Sequence, residues 1–311
     1  MASKTQFKQL GVDVAKDWLD IFDGDQVVRI ANREAAINSF ITQLGVEAAI
    51  ALESTSDYHE LFFEQAFAAG HTVYVVNAFR LSNYRKAVGV RAKTDAEDAQ
   101  LLWRYLQAEK QNLAPSKPTK KSIKLLNRLI KARAKLAKTK NMLKLSLENI
   151  SELKNERNSL MKKLDKSMDS ILKRIQFHIR KAGYQEDFER CLGIPGIGPI
   201  NAANLVAIYH RGDFQRADAF IAFMGLDVRV RESGYFRGKR KLTKQGDPET
   251  RRLLFNAARS ASRTTTWNEY YQSLRERGHT STATGVILSR KMARLAFALL
   301  RDQSQFQPKA A

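Results

Sequence analysis

Four acidic residues stand where their type and spacing could do chemistry. Asp13 lies inside the apolar run Leu10-Gly-Val-Asp-Val-Ala, and Glu53 closes another, Val46-Glu-Ala-Ala-Ile-Ala-Leu-Glu. Asp95 and Asp98 are three apart in Lys93-Thr-Asp-Ala-Glu-Asp, so a helix starting there carries both on one face. An acid inside an apolar strand costs on the order of several kcal/mol in desolvation unless a positive charge sits beside it. Mg²⁺ supplies such a charge, and two-metal phosphoryl chemistry needs several carboxylates around ions about 4 Å apart. Taken singly, Asp95 could be a first-turn acid favoured by the helix dipole, and Glu53 a strand-end surface residue. Asp13 has few such bland alternatives. Together the four point to a metal-dependent, nuclease-like centre.

The elements that must hold these acids follow from hydrophobic patterning. Residues 9–15, 17–23 and 26–32 read as short strands, with Gly24 and Asp25 marking a hairpin turn. Residues 33–44 read as a helix, 46–53 as a buried strand, 58–69 as a helix and 71–77 as a strand. Thr94 and Glu97 are spaced as a capping box, opening a third helix that carries Asp95 and Asp98. Three strands, helix, strand, helix, strand, helix is the element order of a ribonuclease-H-like fold. The expected organisation is α/β plus α, in three segments. Residues 1–112 form the acid-bearing catalytic domain, 113–183 basic coiled-coil helices, and 184–311 a mostly helical C-terminal domain.

Charge separates these segments. The chain has 311 residues and a formal net charge of +21. Residues 117–181 hold 20 Lys and Arg against 5 acids, so most of that excess sits in one stretch free of glycine. Leu126, Leu129, Leu136, Leu143, Leu147 and Ile150 form one heptad-like seam, and Leu153, Leu160, Leu164, Met168, Ile171 and Ile175 a second. A merely solvated helix face usually mixes signs, whereas no acid occurs between Lys110 and Glu148. Lys120, Lys121, Lys124, Arg128 and Lys131 are therefore expected to meet a nucleic-acid backbone. The 43% hydrophobic content argues against a disordered basic tail. The lone cysteine, Cys191, excludes a disulfide framework and a cysteine-based zinc cluster. Nothing reads as a signal peptide or membrane span, so a cytoplasmic, bacterial, nucleoid-associated protein is expected.

The last third carries two glycine-bearing features. Gly193, Gly196 and Gly198 precede a small-residue helix, as in a helix-hairpin-helix whose glycines let backbone N–H groups approach a phosphate. A tight packing corner is the alternative. Residues 229–252 contain nine Lys or Arg with three glycines, and Arg237, Lys239, Arg240, Lys241, Lys244, Arg251 and Arg252 are candidate DNA or RNA contacts. Ser233, between Glu232 and Gly234 in this block, reads on its own as a turn residue. No His–Asp pattern marks a hydrolase triad around it, and the five histidines show no ligand spacing.

Five motifs in order carry a resemblance: Leu10-Gly-Val-Asp-Val-Ala-Lys, Leu52-Glu-Ser-Thr-Ser-Asp-Tyr, Lys93-Thr-Asp-Ala-Glu-Asp-Ala, Gly193-Ile-Pro-Gly-Ile-Gly, and the block from Ser233 to Gly246. The chain resembles the DEDD transposases of the insertion-sequence one-ten family, which includes bridge-RNA-guided recombinases and pilin-gene invertases. One departure is that Ser54 and Ser56 stand where the family often has Ala and Gly. The resemblance implies that Asp13, Glu53, Asp95 and Asp98 form a RuvC-like tetrad binding Mg²⁺. It implies that Ser233 is the nucleophile, attacking a DNA phosphodiester to give a phosphoserine intermediate. It further implies double-stranded donor and target DNA as partners, a structured guide RNA, and a homo-oligomer in which dimers assemble to a tetramer. The competing readings are a RuvC-like junction nuclease without a covalent step, and a non-catalytic nucleic-acid-binding protein.

Overall fold

A computed structural model describes residues 8–53, 57–90, 94–229, 232–238 and 240–308. Lys93, Ser54, Ser56 and Lys239 fall outside the described residues, and for Arg237 only the backbone is described. The chain divides into two compact units, Met1–Pro118 and Thr119–Ala311.

The first unit is built on strands β1 (Lys8–Val14), β2 (Trp18–Phe22), β3 (Val27–Ala31), β4 (Ala48–Glu53) and β5 (Thr72–Val76). Helices α1 (Glu34–Leu44), α2 (Glu60–Ala68), α3 (Ala78–Ala87) and α4 (Asp95–Glu109) complete it. The sheet order is β3-β2-β1-β4-β5, with β1, β2 and β3 antiparallel and β1, β4 and β5 parallel. This is the mixed sheet that the element order anticipates. One element departs from it. Helix α3 follows β5 directly, so α4 is the fourth helix and not the third. Its sequence, Ala-Phe-Arg-Leu-Ser-Asn-Tyr-Arg-Lys-Ala, buries only Leu81 fully and has almost no apolar periodicity, which left it illegible.

Strand alternation decides what lies on each face. Leu10, Val12, Leu19, Ile21, Ile50 and Leu52 pack with Ile37, Ile41, Phe62 and Phe63 of α1 and α2. Ala49, Ala51, Tyr74 and Val76 pack with Leu101, Leu102, Tyr105 and Leu106 of α4. The second face is lined by small residues near its centre, and at Gly11 an added Cβ would sit 2.1 Å from the Ala99 carbonyl oxygen. Helix α4 therefore lies closer to β1 than any side chain there would permit.

In the second unit, α5 (Lys121–Ser146) and α6 (Lys154–Lys181) form an antiparallel pair. Lys140 bonds both oxygens of Asp165 at 2.5 and 2.7 Å, and Arg157 caps the end of α5 through the carbonyls of Leu147 and Glu148, each at 3.1 Å. The seam residues are buried at the base, where Leu126 and Ile175 join a larger core. They emerge toward the tip, and Leu147 and Ile150 of the anticipated seam belong to the connection because α5 ends at Ser146. The remaining helices are α7 (Gln185–Leu192), α8 (Pro199–Tyr209), α9 (Ala217–Phe223), α10 (Pro248–Ala261), α11 (Thr265–Glu276) and α12 (Ser281–Arg301). Short strands β6 (Val228–Arg229), β7 (Glu232–Ser233), β8 (Phe236–Arg237) and β9 (Lys241–Leu242) lie between α9 and α10. Among the described residues no helix is long and apolar enough to cross a membrane.

Candidate active site

The sheet register lines up a row of charged residues beneath the start of α4. Asp13 pairs with Asp20 across β1 and β2, and Asp20 with Arg29 across β2 and β3. Val12 pairs with Leu52, which sets Asp13 and Glu53 on the same face of adjacent parallel strands. Gly11 and Asp13 share that face because strand side chains alternate with period two. The glycine thus admits α4, and α4 brings its first turn over Asp13. Thr94 caps this helix by accepting from the Glu97 N–H at 3.3 Å, as the capping-box spacing anticipates. Asp95, Glu97 and Asp98 all fall in the first turn, where the helix dipole favours acids.

The electrostatics follow from this crowding. Burial raises the Asp13 carboxyl to about 7, and the neighbouring Asp98, Asp95, Glu53 and Asp20 push it in the same direction. Three of the four predicted acids, together with Asp20, therefore crowd around the fourth, Asp13. Asp98 is buried and ion-paired with Arg85 of α3, and Asp95 accepts from Arg29 at 3.3 Å. Among the described residues no three His, Cys, Asp or Glu side chains close into a ready ion cage. The donor set is nevertheless all carboxylate oxygen, which suits a hard divalent cation.

Ser233 sits in a different setting. Strands β6 and β9 pair Val228 with Leu242 and Arg229 with Lys241, and β7 and β8 pair Glu232 with Arg237 and Ser233 with Phe236. The serine closes a two-residue turn of Gly234 (φ 53°) and Tyr235, and the tyrosine is fully exposed. At the base of this double hairpin, Gly225 and Gly246 interlock. A Cβ on Gly225 would be 2.8 Å from the Gln245 nitrogen, and one on Gly246 would be 2.5 Å from the Met224 carbonyl carbon. Asp227 accepts from the Thr243 hydroxyl, and Asp247 caps α10 by accepting from the Thr250 N–H at 2.9 Å.

Known proteins match this chain on both parts. Residues 10–154 match a transposase family of the IS110 DEDD class, and residues 189–272 match the family described as Transposase IS116/IS110/IS902. The chain belongs to the IS110 transposase family. It is a DNA transposase/recombinase. It is similar to the pilin gene-inverting protein of Moraxella bovis, 26% identical over 261 residues, covering 82% of this chain and 80% of that one. The pilin gene-inverting protein of Moraxella lacunata is 25% identical over 262 residues, again covering 82% and 80%. Among solved structures, Thermus thermophilus RuvC in complex with a Holliday junction substrate overlaps 35% of this chain and 99% of its own, at 12% identity and a TM-score of 0.27.

In this IS110 transposase the predicted basic residues divide into two groups. Lys120, Lys121, Arg128, Lys131, Arg240, Lys241 and Lys244 are exposed, and Lys124 is half-buried. Arg251 is otherwise engaged: its Nη1 donates to the Gly246 carbonyl at 2.7 Å and the Met224 carbonyl at 3.3 Å, so it ties the hairpin base together. Arg252 forms a two-pronged pair with Glu249. Gly196 also serves packing, since a Cβ there would lie 2.5 Å from the Ala261 side chain. That corner is pinned by the Trp267 indole N–H, which donates to the Pro195 carbonyl at 3.0 Å. Gly198, at the start of α8, faces open space.

Sequence reasoning missed Asp20, Arg29, Arg85 and the role of Gly11. Asp20 carried a usable signal, because Trp18-Leu-Asp-Ile-Phe is also an acid inside an apolar strand, the argument already applied to Asp13. Arg29 and Arg85 carried none, since each is one of many basic residues until strand register and helix packing place it.

Proposed function

We propose that Asp13, Glu53, Asp95 and Asp98 hold Mg²⁺, with two ions at full occupancy, and that Ser233 is the nucleophile of DNA strand cleavage and rejoining. The observation that carries this reading is that β4 and the first turn of α4 bring Glu53, Asp95 and Asp98 to the half-buried Asp13 of β1 in an IS110 transposase. When bound, the metal would neutralise charge on the phosphate and lower the proton affinity of hydroxyl groups beside it. In the proposed step the Ser233 oxygen bonds to phosphorus, the bond from phosphorus to one deoxyribose oxygen breaks, and the serine proton leaves as that sugar hydroxyl forms. The phosphodiester energy is kept in the phosphoserine link, so rejoining needs no external energy source. A hydroxyl is a weak nucleophile unless activated. The Ser233 hydroxyl and the metal-binding carboxylates therefore supply complementary chemistry, a nucleophile on one side and charge neutralisation on the other.

The exposed lysines of α5 and of the hairpin supply backbone contacts to double-stranded DNA and to a structured guide RNA. Sequence choice would then be delegated to base pairing. The family resemblance and the large single-sign charge of residues 117–181 support this part. Two experiments test the reading. Denaturing gels should trap a protein–DNA adduct with wild type and none with Ser233→Ala; an adduct that survives the substitution sinks the serine assignment. Sequencing of RNA that co-purifies with the protein should return one structured species, and bulk cellular RNA alone would count against guidance.

A further inference from the structure

The guanidinium of Arg29 lies within the acid cluster, and several contacts fix it there. Its Nε donates to Asp20 Oδ1 at 2.9 Å and its Nη2 to Asp20 Oδ2 at 2.8 Å, a two-pronged pair on a carboxylate that is only 4% exposed. The same Nη2 reaches Asp95 Oδ2 at 3.3 Å. The Trp18 ring lies under the group, 5.4 Å from its centroid. Asp20 faces Asp13 across the sheet, in the position of a fifth acid. Both of its oxygens are engaged by the fork of Arg29, however, so its role is to anchor that arginine. Asp95 is engaged through one oxygen, which leaves Oδ1 for a cation. An isolated exposed ion pair does little. An arginine locked on a buried carboxylate is preorganised, and it extends that order to an exposed acid at the end of a helix.

We propose that Arg29, anchored by Asp20, is a positioning residue that orients the Asp95 carboxylate for divalent-cation binding. This rests on the tetrad being the cation site. Arg29 bridges β2 and the first turn of α4, so it fixes a carboxylate that otherwise turns freely on an open helix end. Outer partners of metal ligands commonly change affinity by about 10- to 100-fold when removed.

The test is Mn²⁺ binding to the full-length protein, followed by loss of the free-ion electron paramagnetic resonance signal. Wild type should bind, and Asp13→Asn should not. Arg29→Gln and Arg29→Lys should each weaken binding about tenfold or more, because lysine keeps the charge but not the fork. Asp20→Asn should do the same, and the double variant Asp20→Asn/Arg29→Gln should be no weaker than either single. Strand cleavage lost in Arg29→Gln should return as Mn²⁺ is raised, which a folding defect would not allow. Arg29 is half exposed, so its variants remain informative even where Asp20→Asn fails to fold. Tighter binding by Arg29→Gln, wild-type affinity in both Arg29 variants, or additive losses in the double variant overturns the proposal alone. Absence of Mn²⁺ binding in wild type, or its persistence in Asp13→Asn, overturns the tetrad reading and this one with it.

Discussion

The acid cluster and the serine hairpin are built in opposite ways. Asp13, Glu53, Asp95 and Asp98 sit on regular elements with a packed sheet beneath them, and the buried Asp98 is ion-paired with Arg85. Ser233 sits on a strand of two residues, at the exposed end of a hairpin held mainly at its base. The contrast has a physical basis. Several like charges stay together only if a rigid frame prevents them from moving apart. As the proposed nucleophile, Ser233 would have to meet a phosphate within a large duplex, and an exposed turn supplies the reach for that.

The sharpest way to break this comparison is to remove each reactive group. Ser233→Ala should abolish strand cleavage, a loss of at least about a thousandfold, while changing stability by no more than about 0.5 kcal/mol. Gel assays of cleavage paired with thermal melts read both. A large melting shift would show that the hairpin tip is structural after all. Asp13→Ala should lose activity to a similar degree but also alter stability, since that side chain lies among other acids.

Gly11→Ala probes the frame beneath the acids. The added methyl meets the α4 backbone, so overpacking should destabilise by about 1–3 kcal/mol and weaken cleavage as Asp95 and Asp98 are lifted. Chemical denaturation checks the first effect; an unchanged midpoint would mean α4 can shift without consequence. Arg251→Ala should destabilise by about 1–3 kcal/mol, because two carbonyls lose their donor. It should leave the salt dependence of DNA binding unchanged. Lys120→Ala with Lys121→Ala should do the reverse, reducing the slope of log K against log salt by about 0.9 per lost phosphate contact.

A further expectation is a pH dependence confined to the acid cluster. Asp13 has a folded-state pKa raised to about 7, so between the ordinary carboxylate range and pH 7 the folded protein holds more protons than the unfolded chain. Stability of the metal-free protein should therefore fall as pH rises through this window, and that contribution should be fully lost above pH 7. Asp13→Asn should flatten it, so its melting temperature should gain on wild type as pH increases. Parallel pH profiles for the two proteins would remove Asp13 from the linkage.

Much of the acid-bearing sheet was legible in the sequence. Alternation and short apolar runs marked all five strands, and the capping box marked the start of α4. Helix α3 was not legible, because a helix on a surface with one buried leucine carries no period. The basic block around Ser233 was legible as charge but not as roles. Arg251 and Arg252 look like phosphate contacts in a string of nine cations, and only the fold shows that one holds carbonyls and the other a glutamate. Gly196 read either as a phosphate approach or as a tight packing corner, and it is Ala261 that packs where its Cβ would lie.

The sequence by itself determined which acids are expensive to bury and where the cationic surface concentrates, because both depend on residue type and local period. Only the tertiary structure decided which groups meet across long sequence separations: Asp20 under Arg29, Arg29 beside Asp95, and α4 against Gly11. Those meetings depend on strand register and on how closely a helix approaches a sheet. Neither is encoded in any one segment, since a slip of one residue in a strand would turn Asp20 or Arg29 to the opposite face of the sheet.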